Sequence, residues 1–311
     1  MHFLDVKTDF AFKRVFGSEQ SKDILISFLN SIVKFKDGNI IEDLIIVDPY
    51  QIPLLKGMKD TYVDVKARLS NDNMVIIEMQ ILNYEGMEKR ILYNAAKAYS
   101  TQLLRGDQYY LLNPIIAITI TDFEMFSEFS KVISYFKLKE KDELIEYSGD
   151  IELIFIELPK FKKEENELID ITDKWIYFIK NAGTLEYIPK TFEQNMEIKK
   201  AFEIANQAGL GAEELEMQWK RQDFIYIQRA AIIYAEKKGM QAGMEKGMEK
   251  GMEKGMEKGM EKGMEKGMEK GMEKGMEISV SSLARHGMGI EEIANILELD
   301  IDFVKKVVNK D

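Results

Sequence analysis

The chain has 311 residues, 45% of them hydrophobic, and a formal net charge of -11. It contains no Cys and two His, His2 and His286, which excludes disulfides, thiolate zinc sites, cysteine nucleophiles and histidine triads, and leaves carboxylates, Lys, Tyr or a hard metal held by oxygen to carry any chemistry. The acidity argues against bulk electrostatic coating of nucleic acid, yet up to Arg105 fourteen Lys and Arg balance fourteen Asp and Glu, so a local basic track fits there.

In chain order, "TDFAFKRVFG" has Thr8 as an N-cap, Phe12, Val15 and Phe16 at helical spacing, and Gly17 as a stop, which predicts a short helix. A second helix follows in "SKDILISFLNSIV", with Ser21 as cap and Ile24, Leu25, Phe28, Leu29 and Ile32 in one apolar stripe. The β-branched run "IIEDLIIVDP" predicts a strand ending at Pro49, and "YVDVKARLSNDNMVIIEMQ" predicts a hairpin. "MEKRILYNAAKAYSTQLLRG" reads as a helix up to Gly106, and "PIIAITIT" as a buried strand. Shorter strands are expected at "VISYFKL" and "IELIFIEL", then helices into the 230s. The order αα-β-β-β-α-β predicts an α/β fold, a mixed sheet flanked by helices.

From Gly243 to Lys274 the tetrapeptide Gly-Met-Glu-Lys repeats eight times. A four-residue period drifts about 40° per repeat on an α-helix, so no fixed apolar face forms. Each Gly costs about 1 kcal/mol relative to Ala. Glu stacks over Glu and Lys over Lys at i,i+4, leaving Lys-to-Glu pairs at i,i+3. The segment is read as a polar spacer, with a self-associating helix, and hence a homo-oligomer, as the alternative. After it, "SVSSLARHGMGIEEIANILELDIDFVKKVVNKD" returns to helical patterning in two or three short helices. That tail resembles a helix-turn-helix, but its last helix lacks the Arg, Asn or Gln that would meet base edges, so it is read first as a packing or pairing bundle. The expected organisation is a body at 1–160, a helical extension at 161–238, the repeat at 239–276 as linker or long helix, and a tail at 277–311. No stretch approaches the roughly 18 apolar residues of a membrane span, and the N-terminus does not read as a leader, so a cytoplasmic protein without a membrane partner is expected.

The hairpin raises the functional question. Strict alternation puts Tyr62, Asp64, Lys66 and Arg68 on one face of its first strand, with Val63, Val65, Ala67 and Leu69 on the other. On the second strand Glu78 and Gln80 share a face. A three-residue loop at Ser70 to Asp72 would set Asp64 opposite Glu78, and one at Asn71 to Asn73 would set it opposite Gln80; either gathers the three polar groups, whereas a two-residue turn separates them. Two carboxylates brought together in a half-buried site repel unless one is protonated or a cation joins them. Mg2+ suits such a site, being content with a few carboxylates, a carbonyl and waters, and it would activate water against a phosphodiester with Gln80 orienting that water. The competing reading is a solvated polar strand face with Lys66 pairing Asp64.

The runs "KTDFAFKRVFG", "LISFLNSIV", "YVDVKARLSNDNMVIIEMQ", "GMEKRILYNAAKAYSTQL", "IAITITDF" and "IELIFIELPKF" together resemble the PD-(D/E)XK nuclease family transposases, also called the Rpn family of recombination-promoting nucleases. The resemblance spans roughly the first 160 residues. It implies a restriction-endonuclease-like αβββαβ core, DNA as substrate and phosphodiester cleavage dependent on Mg2+ or Mn2+. The superfamily's Asp falls on Asp64, its Glu on Glu78 and its usual Lys on Gln80, a departure that removes a positive charge from the site. By the same resemblance Asp9 is an accessory acid, Asp64, Glu78 and the backbone carbonyl of Met79 are metal ligands, and Gln80 acts with them. Arg90 is a candidate phosphate contact, and Tyr93 and Tyr99 either stack or pack. A non-catalytic protein that keeps the scaffold for DNA binding or assembly is the alternative.

Overall fold

A computed structural model describes residues 1–35, 38–51 and 59–309. The last two residues of the predicted tail, 310 and 311, lie outside the described ones. The chain divides into two compact units, residues 1–231 and 232–311.

The first unit opens with α1 (Asp9–Phe16) and α2 (Lys22–Ile32), each starting one residue after its predicted cap. The strands β1 (Leu44–Val47), β2 (Tyr50–Gln51), β3 (Thr61–Tyr62), β4 (Val65–Leu69) and β5 (Met74–Gln80) follow. Then come α3 (Met87–Ser100), β6 (Ile115–Thr121), β7 (Ile133–Lys137) and β8 (Ile151–Glu157). The main sheet runs β1-β4-β5-β6-β8-β7, and β2 and β3 form a separate small sheet. β4 runs antiparallel to both of its neighbours, β1 and β5, while β5, β6 and β8 are parallel and β7 returns antiparallel to β8. This is the expected mixed-sheet α/β architecture. Every residue of central β6 is buried, as a parallel strand covered on both faces requires.

The two sheet faces are covered differently. Val75, Ile77 and Met79 of β5 and Ile116, Ile118 and Ile120 of β6 join the main core with Phe12, Phe16, Phe28 and Trp175. Ile76 and Ala117 face the other way, with Ala95 and Ala98 of α3. Residues 161–205, read from the sequence as part of an extension, carry α4 (Ile171–Asn181) and α5 (Met196–Ala205) and are built into the same main core through Trp175, Phe178, Phe192 and Phe202. Trp175 lies 5.8 Å from Phe16 and 6.0 Å from Phe28, ring centre to ring centre.

A single helix, α6, runs from Ala212 to Arg285 and includes the whole repeat. Its repeat methionines, Met244 to Met272, are exposed. In the second unit α7 (Ile290–Leu297) and α8 (Ile301–Val308) close a small core of Val280, Ile293, Ala294, Val304 and Val307. The tail is therefore a three-helix cluster, with the end of α6 supplying the third helix. Among the described residues no helix is long and apolar enough to cross a membrane.

Candidate active site

The β4–β5 turn adopts the first of the two productive registers. Val65 pairs with Ile77 and Arg68 with Met74, leaving Ser70, Asn71 and Asp72 as a three-residue loop. Asp72 takes the left-handed conformation at φ 63°, which Asp tolerates better than most residues. Asn71 Oδ1 accepts from Asn73 N at 3.2 Å, fixing the turn locally. One step beyond the last pair, Asp64 N donates to Ile77 O at 3.1 Å, so Asp64 meets β5 beside Glu78.

The face assignment for the first strand needs correction. Val63 packs with Ile76 and Ala95 on the α3 side, while Val65 packs in the main core on the opposite side, so alternation breaks between them. Asp64 forms a bend between β3 and β4 instead of sitting mid-strand. The bend is held because Asp64 Oδ2 accepts the Met79 N–H at 2.7 Å, giving β5 a hydrogen-bond acceptor where the first strand turns away. Tyr62 and Thr61 consequently pair with Tyr50 and Gln51 and not with β5.

This bend turns the Asp64 carboxylate toward α1. Lys13 Nζ lies 3.6 Å from Asp64 Oδ1 and 2.8 Å from Asp9 Oδ1, and the Asp9 and Asp64 carboxyls hydrogen-bond to one another. Burial, then the Asp9 carboxyl, push Asp64 up to about 7 against the opposing pull of Met79 N–H and Lys13. Burial opposes the Asp9 charge too, but its bond to Asp64 and the charge of Lys13 hold it below the usual range. Of the two, the more buried Asp64 is the carboxyl whose proton is held more tightly.

Glu78 is buried and faces α3. Asn94 Nδ2 donates to its Oε1, Gln80 Nε2 donates to Oε2 at 3.0 Å, and Arg90 Nη2 lies 3.3 Å from Oε2. Burial raises its pKa, while Arg90, Asn94 and Gln80 lower it by a smaller amount. Of the three polar groups expected together, Glu78 and Gln80 bond directly, and Asp64 reaches β5 at the N–H of Met79, the residue between them. Asp64 is approached from the α1 side, and Arg90 links the halves electrostatically: burial disfavours its charge, but Tyr84, Glu78 and Asp64 together raise its pKa. Tyr99 donates to Asp150 at 3.1 Å and is structural, whereas Tyr93 borders Arg90 in an open pocket.

Two residues escaped the sequence reading. Lys13 stands one helical turn after Asp9, and its spacing from that acid was a readable signal. Asn94 lies one turn after Arg90 on α3; nothing local marks it, because its role depends on how α3 crosses β5. Its Oδ1 is buried without a hydrogen-bond partner among the described residues.

The donor set suits a hard divalent cation. Asp64, Glu78 and the Met79 carbonyl offer oxygen alone, and a carboxyl held protonated to about 7 by its surroundings is one from which a cation would displace the proton. Among the described residues no three acidic or His side chains form a ready cage. Mg2+ commonly completes such a partial shell with water and substrate phosphate.

The family model of the PD-(D/E)XK nuclease family transposases matches residues 6–235 of the chain. No curated protein and no solved structure matches the chain.

Proposed function

Because the chain belongs to the PD-(D/E)XK nuclease family transposases, we propose that it is a DNA endonuclease that hydrolyses phosphodiester bonds with Mg2+ or Mn2+ as cofactor, in the service of DNA recombination. Asp64, Glu78 and the Met79 carbonyl would hold the cation. Once bound, it would polarise a phosphate oxygen and lower the pKa of a coordinated water.

The chain's own groups have distinct tasks in this reading. Gln80 spends its amide N–H on Glu78, leaving its amide oxygen to orient the attacking water. Asp9, whose carboxyl interacts with that of Asp64, keeps the latter from swinging away. Lys13, 3.6 Å from Asp64, supplies the positive charge that Gln80 does not. Arg90 binds a phosphate oxygen on the α3 side, where charge-assisted hydrogen bonds are strongest. The observation that carries the reading is the bend at Asp64, which places one carboxylate against the Met79 N–H beside Glu78, with Lys13 and Arg90 flanking the pair.

The test is nicking of a negatively supercoiled plasmid, whose torsional stress exposes unpaired nucleotides, by the full chain and by Asp64→Ala, each with Mg2+, Mn2+, Ca2+ or EDTA. Nicking by wild type with Mg2+ or Mn2+, and none with EDTA or Asp64→Ala, is expected. Equal cutting by Asp64→Ala would overturn the residue assignment. A wild type inert with every cation would favour a scaffold that binds or assembles without cleaving.

A further inference from the structure

Beside Arg90 the first unit opens into a pocket of about 640 Å³ whose walls come from β3, from the turn before α3 and from α3 itself. Tyr62, Tyr84 and Tyr93 line it together with the cationic side chains of Lys59, Lys89 and Arg90 and one acidic residue, Asp60, so the three cations outnumber the acid. The three rings are 61%, 46% and 37% exposed, so they are not core residues. Tyr62 is backed by Tyr50, its ring centre 4.7 Å away at 30° in a stacked arrangement that fixes the ring plane, while Tyr62 as a whole stays exposed. Tyr84 Oη accepts from Arg90 Nη1 at 2.7 Å, and the Lys97 ammonium lies 6.0 Å from the Tyr93 ring centre while donating to Lys59 O at 2.9 Å. Arg90 also lies 3.3 Å from Glu78, so the pocket and the carboxylate site share that side chain.

Ring faces edged by cations recognise a planar base attached to a phosphate. In a closed duplex each base face is covered by its neighbours, so a pocket that presents ring faces gains nothing from it beyond phosphate contacts. Pockets of this size commonly bury most of a small ligand. We propose that this pocket holds an unpaired nucleotide next to the scissile phosphate, and hence that the substrate is single-stranded DNA or DNA with an unpaired nucleotide at the cut. The proposal rests on the nuclease reading above and names the substrate class of that site.

Binding is measured without cleavage, by fluorescence anisotropy in EDTA. The full chain is titrated against a labelled single-stranded oligonucleotide and against a blunt duplex of the same sequence. Wild type is expected to bind the single strand more tightly. Tyr62→Ala is expected to weaken single-strand binding by roughly tenfold or more, the range for loss of one base–aromatic stack, with duplex binding unchanged. Tyr62→Phe keeps the ring face and is expected to bind like wild type. The proposal is overturned by a duplex preference, by equal losses on both DNAs, by no loss in Tyr62→Ala, or by a loss in Tyr62→Phe as large as in Tyr62→Ala. Loss of nicking in the metal assay with single-strand binding intact would sink the cleavage reading while sparing the pocket.

Discussion

Replacing Asp64 by Asn without metal tests the electrostatics of the site most directly. The wild-type carboxyl is raised from an ordinary 3.8 to about 7, first by burial and then by Asp9. In the unfolded chain it ionises near its ordinary value, so the folded state holds the proton more tightly. Its contribution to stability is therefore fully present below 3.8 and is lost as pH rises through about 7. At about 1.4 kcal/mol per pKa unit, the whole span is roughly 4 kcal/mol. Between about pH 5 and pH 8 the portion lost is about 2 to 3 kcal/mol. The amide introduced by Asp64→Asn would keep an oxygen for the Met79 N–H, now at 2.7 Å from the carboxylate, and carry no charge. The variant should gain stability relative to wild type by that 2 to 3 kcal/mol as pH rises over this interval. Urea denaturation in EDTA, followed by fluorescence of the fully buried Trp175, measures the difference. A difference that stays flat with pH, or shrinks as pH rises, would refute the account of Asp64.

Glu78→Gln should fold, since Gln can still meet Asn94 and Gln80, but nicking should fall by about a hundredfold or more; a folded variant cutting at the wild-type rate would remove Glu78 from the mechanism. Gln80→Lys places the superfamily's usual charge beside Glu78, and nicking should be retained or raised; complete loss would show that the amide does something a cation cannot. Trp175→Ala empties the centre of the main core and should cost about 3 to 5 kcal/mol in urea denaturation. The repeat carries eight glycines at about 1 kcal/mol each, so the isolated Gly243 to Lys274 peptide should show little helicity by circular dichroism, and deleting four repeats should leave nicking unchanged. Strong, concentration-dependent helicity of that peptide would instead establish a self-associating helix.

Local signals along the chain settle the elements and much of their pairing. The helix starts just after Thr8 and Ser21, the apolar stripe of α2 and the largely apolar, fully buried run of β6 need nothing beyond backbone preference and burial period to be read, although neither Thr8 nor Ser21 makes a side-chain capping hydrogen bond. Residue chemistry at Ser70 to Asp72 restricted the hairpin to a few registers, one of which the fold adopts. The period of four in the repeat similarly argues against a fixed apolar face, and its methionines are exposed along α6. Strict alternation, by contrast, misplaces Asp64. The bend there exists because the side chain, and not the backbone, satisfies the Met79 N–H, and that exchange sends Val63 and Val65 to opposite sides of the sheet. The company each carboxylate keeps follows from α1 packing on one face and α3 on the other. Asp9 and Lys13 reach Asp64 across more than fifty residues of chain, and Arg90 and Asn94 reach Glu78 only because α3 crosses β5 at that level. Pairings of that kind are set by how helices seat on a sheet, a long-range packing outcome that no local period encodes.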